Sequence, residues 1–190
     1  MAALLFAAST LHAEDARRAD AASLMNELMS GRAPVGGAFT LPDATGKLRS
    51  LDEFRGRLVL LYFGYAYCPD VCPTDLAAIG GALRLLGDKA ADVQPLFVTL
   101  DPARDTPQVL REYAAAFHPS FIALRGSEAE TYRIARSYKV FYEKVDDGKA
   151  GYLIDHAALT FLLDRNGKYV AFFPPGTKPD RIAAMLKDQL

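Results

Sequence analysis

The stretch RLVLLYFGYAYCPDVCPTD, residues 57 to 75, joins the strongest apolar run of this 190-residue chain to its only two cysteines. Residues 57 to 65 are almost continuously apolar, which is typical of a central strand covered on both faces. Cys68 and Cys72 follow this strand directly. We therefore expect both sulfur atoms at the carboxyl end of a buried strand, where open α/β sheets bind their ligands.

Predicted strands and helices alternate along the rest of the chain. By periodicity and turn residues, helices are predicted over 73–87, 108–117, 127–138 and 178–189, further strands over 93–100 and 121–123, and a strand hairpin over 152–174 with its turn at Asn166-Gly167. This order predicts an α/β fold with a central mixed, mostly parallel sheet, helices on both faces, and a C-terminal strand hairpin plus helix.

The N-terminal residues differ in composition from the rest of the chain. Residues 1–13, MAALLFAASTLHA, are apolar or small and are followed by the charged stretch EDARRADA. This pattern is that of a secretory leader with a cleavage site after Ala13. Residues 14–34 are predicted as an N-terminal helical extension and 35–190 as the folded domain. We therefore expect an exported protein, in a bacterial periplasm or on the periplasmic side of a membrane.

Charge and cysteine spacing narrow the function classes. The chain has 22 basic and 23 acidic residues, a formal net charge of −1, so it has no basic excess of the kind that nucleic-acid binding requires.

A disulfide between Cys68 and Cys72 would close a very short loop and add little stability. With Pro73 as first helical residue and Cys72 at or near the N-cap, the helix dipole favours thiolates. Both thiols are thus expected to be acidic and partly exposed.

Several motifs are similar to those of the Sco/SenC family. GYAYCPDVCPTDL places C-P-D-V-C-P after a strand, and the stretches FTLPDATGK, VTLDPARDTP and GYLIDHAALTFLLDRNGK have the family's order and spacing. The resemblance covers about residues 35 to 188. It implies a thioredoxin-like fold, a role in assembling the copper site of cytochrome c oxidase, and copper binding by Cys68, Cys72 and His156.

The chemistry of these three residues agrees with that implication. Thiolates are soft ligands that select Cu(I), and an added imidazole nitrogen also suits Cu(II). Two sulfurs and one nitrogen are acceptable to zinc as well. From the residues alone, His156 is equally well a loop histidine. Asp155 could orient a ligand, although a solvated carboxylate is favoured. The DPARDTP stretch is interpreted as structural, with Thr106 as a helix N-cap and Pro107 as the first helical residue, and a partner surface is left open.

Two functions of different classes follow. The first is a copper metallochaperone, rather than an enzyme, that delivers copper to the copper-bearing subunit of cytochrome c oxidase and itself depends on an upstream copper donor or a thiol reductase. The alternative is a thiol-disulfide oxidoreductase, with Cys68 and Cys72 as its redox pair, that reduces the cysteines of a copper-site partner. The C-x-x-x-C spacing favours metal over the C-x-x-C of thioredoxins. So does Leu159, which stands where thioredoxin-like enzymes have a cis-proline.

Overall fold

The apolar run around residue 60 forms strand β3, Leu58–Gly64, in which all seven residues are buried. The structure, a computed structural model, describes residues 34–148 and 151–190 together with positions 23, 26–28 and 30. Strand β4, Val93–Thr99, is equally buried along its whole length. Strands with apolar side chains on both faces are stable only where both faces are covered, so β3 and β4 form the centre of the sheet.

Three more strands complete the central sheet: β5, Ile122–Leu124, β8, Thr160–Leu163, and β9, Tyr169–Phe173. The five strands lie in the order β5-β4-β3-β8-β9, with β5 and β9 at the edges. β3, β4 and β5 pair in parallel, whereas β8 is antiparallel to both β3 and β9. Four strands therefore run in one direction and β8 in the other, which confirms the predicted mixed sheet.

Four helices connect or follow these strands: α1, Val71–Leu86, α2, Pro107–Phe117, α3, Glu128–Ser137, and α4, Pro179–Gln189. The start of α2 is as predicted, because Thr106 caps it with a hydrogen bond from the amide of Val109 and Pro107 is the first helical residue. α1 packs against α4. A Cβ at Gly81 of α1 would lie 3.0 Å from Pro179, so the glycine permits this close approach.

Two hairpins lie outside the central sheet. β1, Thr40–Pro42, pairs with β2, Leu48–Ser50, and β6, Tyr142–Asp146, pairs with β7, Tyr152–His156. Residues 152–174 were predicted as one hairpin, but only β8 and β9 form it. β7 is instead paired with β6, since residues 157–159 interrupt the first arm with a turn in which the amide of Leu159 donates to the carbonyl of Ala157.

The N-terminal predictions fall largely on residues outside the described part of the chain. The leader predicted over 1–13 lies wholly outside it. Within the helical extension predicted over 14–34, positions 23 and 26–28 are helical. Residues Val35–Leu190 form one compact unit. Among the described residues, no helix combines the length and the apolar character that crossing a membrane requires.

Candidate metal centre

The cysteine loop begins where β3 ends. Gly64 is the last residue of that strand, and the chain turns at once, with the amide of Cys68 donating to the carbonyl of Tyr65 at 3.2 Å. Helix α1 begins at Val71, so Cys72 is its second residue and Pro73 its third. The helix therefore begins two residues before the predicted start at Pro73, with Asp70 as its N-cap, and Cys72 lies near that N-cap, as predicted, within the first helical turn.

His156 is brought to the cysteines by β8, the neighbour of β3 on the side opposite to β4. His156 ends β7, and four residues later β8 begins and pairs with β3. This pairing places His156 Nε2 3.3 Å from Cys72 Sγ. The two sulfur atoms and a ring nitrogen of His156 all lie within 4.8 Å of one another. The structure thus brings together the three predicted site residues in a group that could hold a metal ion.

The two sulfur atoms differ in their surroundings. Cys72 is fully buried, whereas Cys68 is half-buried. A Cβ at position 64 would lie 2.8 Å from Cys72 Sγ and 2.8 Å from the Tyr62 ring, closer than real Cβ contacts. Gly64 therefore provides the space that Cys72 Sγ occupies. The expectation that both thiols are partly exposed is wrong for Cys72, because the sulfur points towards the sheet and not along the helix end.

The same asymmetry appears in the acidity of the two thiols. The hydrogen bond from the Cys72 thiol, supported by His156 and by the backbone amides of Asp70 and Cys72, lowers the pKa of Cys68 to about 3 against the effect of partial burial. The amide of Cys72 lies 3.4 Å from Cys68 Sγ. Donation of its proton to Cys68, together with burial, raises the pKa of Cys72. The more exposed thiol, Cys68, is therefore the more acidic of the two, and the negative charge of the pair falls on Cys68 in preference to Cys72.

This charge distribution predicts selective alkylation. At pH about 5 we expect iodoacetamide to modify Cys68 and to spare Cys72. Even a thiol with an ordinary pKa of about 8.5 is almost fully protonated at that pH, and the pKa of Cys72 is raised above the ordinary value. The pKa of Cys68 is depressed, so its reactivity is present above that pKa and is lost only as the pH falls towards about 3. Peptide mass spectrometry over a pH series measures both sites.

A Cys72→Ala variant is the control for this experiment. It removes the thiol that hydrogen-bonds Cys68, so the reactivity of Cys68 should shift towards that of an ordinary thiol. If alkylation of Cys68 in the wild-type protein instead rises steadily between about pH 6 and 9, as for a free cysteine, the assignment of the charge to Cys68 is wrong.

Two tyrosines surround the imidazole of His156. The ring centroids of Tyr62 and Tyr65 lie 6.4 Å and 6.1 Å from that of His156, both edge-to-face. His156 Nδ1 is buried and has no hydrogen-bond partner among the residues that the structure describes. Metal-binding histidines usually donate this second nitrogen to an acceptor. Asp155 is exposed and does not serve that purpose, which agrees with its interpretation as a solvated carboxylate.

Asp75 is a buried residue near the candidate site. It was not among the site residues predicted from the sequence. Its Oδ1 accepts from the amide of Gly176 at 2.8 Å, and the Tyr62 hydroxyl donates to its Oδ2 at 3.3 Å. Burial raises the pKa of this carboxyl. The signal was present in the sequence, since Asp75 follows Cys72 by three residues and therefore falls on the apolar stripe of α1.

The comparisons with known proteins agree with one another. A family model described as SCO1/SenC matches residues 27–190. The SCO2-like protein of Rickettsia felis is 43% identical over 155 residues, which are 80% of this chain and 76% of that protein. The copper-bound structure of Bradyrhizobium japonicum ScoI is 40% identical with a TM-score of 0.76, over 82% of this chain and 99% of that one.

A more distant solved structure adds a description of function. BsSco, a member of the Sco family of cytochrome c oxidase assembly proteins in which a disulfide switch was identified, is 25% identical to this chain. Its TM-score is 0.65, and the match covers 80% of this chain and 91% of BsSco.

Proposed function

Because this chain belongs to the SCO1/SenC family, we propose that it is a copper-binding metallochaperone in the assembly of cytochrome c oxidase. It holds copper through Cys68, Cys72 and His156 and delivers it to the copper-bearing subunit of the oxidase. The observation that supports this most directly is the convergence of two sulfur atoms and a ring nitrogen within 4.8 Å. Copper-bound ScoI, 40% identical, supports the choice of copper.

The donor set suits copper in both oxidation states. Two thiolates satisfy Cu(I) at low coordination number, and the imidazole adds the nitrogen that Cu(II) accepts readily. Nε2 is the ligand atom of His156 in this proposal, because it is the ring nitrogen that faces Cys72 Sγ at 3.3 Å. Cysteine binds metal as the thiolate, so copper uptake must release the proton of Cys72.

The burial of the two sulfurs suggests an order for uptake and release. Cys68 is half-buried and already negative, so it is the first ligand to meet incoming copper. Cys72 then binds as its proton leaves, at the fully buried end of the site. In release, a ligand of the recipient approaches copper from the side of Cys68, and Cys72 is the last of the two sulfur ligands to dissociate from the copper.

The alternative function, thiol-disulfide exchange with a partner, is favoured by the same asymmetry. In that reaction the Cys68 thiolate attacks a disulfide sulfur of the partner and expels the first partner thiolate, leaving a mixed disulfide. Cys72 then loses its proton and attacks Cys68 Sγ, which releases the second partner thiolate. The partner gains two electrons, and the protein is left with a Cys68–Cys72 disulfide. A low-pKa, accessible cysteine beside a buried protonated one is suited to these two steps.

Transfer to a purified, soluble fragment of the copper-bearing oxidase subunit separates the two functions. We expect the copper-loaded protein to lose its copper to a fully reduced recipient, because the recipient then offers free thiolates. Copper in each protein is measured after rapid separation. In the second arm, reduced copper-free protein is mixed with oxidised recipient and thiols are counted in both. Copper transfer without a thiol change supports delivery, whereas thiol exchange without copper transfer identifies the oxidoreductase instead.

The localisation and domain arrangement belong to the same proposal. We place the protein on the periplasmic side of a bacterial membrane, with residues 1–13 as a leader, 14–34 as a helical extension and 35–190 as the copper-binding domain. The support is the apolar and then charged pattern of the first residues. N-terminal sequencing of the mature protein checks it, and an intact Met1 on the exported protein would contradict cleavage after Ala13.

A further inference from the structure

The β4–α2 loop, residues 100–106, contacts both segments that bear the candidate ligands. On one side, Asp105 is fully buried, and its Oδ2 accepts from the amide of Ala66 at 3.0 Å and from the Thr99 hydroxyl at 2.5 Å. Ala66 lies two residues before Cys68. This carboxylate therefore ties the backbone of the cysteine loop to the end of β4.

On the other side, Arg104 of the same loop holds the hairpin β6–β7. Its Nη1 donates to the carbonyl of Tyr152 at 2.8 Å, and its guanidinium carbon lies 3.7 Å from the centre of the Tyr152 ring. Its Nε pairs with the carboxylate of Asp101, a fully buried residue. Asp101 Oδ1 also accepts from the Tyr152 hydroxyl at 2.8 Å. Arg104 and Asp101 thus hold both the backbone and the ring of Tyr152.

Tyr152 and His156 are the first and last residues of β7. They are four residues apart, and alternate residues of a strand face the same side, so their side chains belong to one face. The burial of β7 agrees, because Ile154 between them is buried while its neighbours Leu153 and Asp155 are exposed. An anchor on the Tyr152 side chain therefore fixes the face from which His156 extends.

β6 and β7 form a two-stranded sheet that is separate from the central sheet, so contacts with neighbouring segments, such as those of Arg104, hold the hairpin in place. The Arg104 guanidinium also lies over the cysteine loop, with its carbon 5.8 Å from the Tyr65 ring centre and 5.4 Å from that of Tyr67. One side chain therefore touches the hairpin of His156 and the loop of Cys68.

We propose that Arg104 is a positioning residue for the metal centre: by joining Tyr152 of β7 to Asp101 and to the cysteine loop, it sets the place of His156 relative to Cys68 and Cys72. The DPARDTP stretch is then structural, as predicted. Its structural role is to keep His156 at a fixed distance from Cys68 and Cys72. The metal-dependent part of this inference rests on the proposed copper site, whereas the anchoring of β7 does not.

Arg104→Met tests the proposal, because methionine keeps most of the side-chain length and loses the guanidinium. We expect a Cu(II) affinity lowered about 10-fold or more, the range found when groups that orient a metal ligand are removed. The Cu(II)–thiolate absorption should shift, while Cu(I) affinity, set by the two sulfurs, changes little. Arg104→Lys should restore only part of the loss, since an ammonium lacks the planar fork and the stacking surface.

Arg125→Met is the matched control. Arg125 donates to the carbonyl of Pro102 in the same loop, at 2.7 Å and 3.1 Å, and among the described residues it forms no hydrogen bond or ion pair with β7. It should keep the wild-type Cu(II) affinity and spectrum. The proposal is overturned if Arg104→Met keeps them too, if Arg125→Met loses as much, or if Cu(I) affinity falls as far as that for Cu(II).

Amide hydrogen exchange of the metal-free protein gives a readout without copper. We expect faster exchange in β7 of Arg104→Met, with β8 unchanged, and unchanged exchange in β7 overturns the anchoring. This readout stands even if the wild-type protein fails to deliver copper, so the failure of the two proposals can be told apart. If Arg104→Met does not fold, Tyr152→Phe replaces it, because that variant removes only the hydrogen bond to Asp101 and should show the same effects to a smaller degree.

Discussion

Cys72→Ser is expected to lower the affinity for Cu(I) by two to three orders of magnitude while the protein stays folded. Four ligands in a structural zinc site contribute about 10–16 kcal/mol, or roughly 2.5–4 kcal/mol each, which corresponds to a factor of the order of 100 to 1,000. A serine hydroxyl is a hard donor that is not ionised at neutral pH, so it does not replace a thiolate on Cu(I). Competition with a Cu(I) chelator under reducing conditions measures the change.

The variant should fold because serine occupies less volume than cysteine and finds a partner. The buried hydroxyl would lie where Cys72 Sγ now lies, within reach of His156 Nε2. Cys68→Ser should lose Cu(I) affinity to a similar extent. Tyr67→Phe is a control in the same loop, since Tyr67 is exposed and supplies no ligand atom. Wild-type Cu(I) affinity in Cys72→Ser would refute the site.

His156→Ala is expected to separate the two oxidation states of copper. Loss of one ligand should weaken Cu(II) binding by about 100-fold or more by the same arithmetic. Most Cu(I) affinity should remain, because both thiolates are still present. A Cu(II)–thiolate site absorbs in the near-ultraviolet and visible, and the chain contains no tryptophan, so the band stands on a clear background. Titration of that band and the rate of Cu(II) loss to a chelator measure the effect.

Two controls accompany the histidine variant. The metal-free protein must keep its thermal stability, and this is expected because His156 Nδ1 has no hydrogen-bond partner among the described residues and the ring is only half-buried. Asp155→Ala changes the neighbouring exposed carboxylate and should leave the band unchanged. If the metal-free protein is stable and Cu(II) affinity is intact, His156 is not a ligand, and thiol exchange becomes the better function.

The central sheet could be predicted from sequence because its signal is local. β3 is an uninterrupted apolar run, and β4 is apolar except for Gln94 and Thr99. Thr106-Pro107 is a helix start whose capping chemistry is read directly from two adjacent residues. The resemblance of the cysteine and Asp-His motifs then selected Cys68, Cys72 and His156, which the structure brings together. These inferences needed no knowledge of contacts between distant segments.

The remaining features depend on such contacts. The burial of Cys72 follows from the space left by Gly64 on a neighbouring strand, and α1 starts before Pro73 because proline is tolerated throughout the first turn. β7 pairs with β6 through five residue pairs that no local pattern in the polar β6 sequence specifies. Arg104 was not singled out within the DPARDTP stretch, because its partner Tyr152 lies 48 residues away.

The distance along the chain between the candidate ligands links metal loading to folding. Cys72 and His156 are 84 residues apart, and they meet only after β8 has paired with β3. An unfolded chain therefore offers copper two neighbouring thiols and no complete site, so copper binds the native state in preference. At a free concentration 1,000 times the dissociation constant, such a ligand adds about 4 kcal/mol to the free energy of unfolding. That is a large part of the roughly 5–15 kcal/mol that stabilises a typical domain. Loss of the bound copper would thus return the protein to a less stable native form.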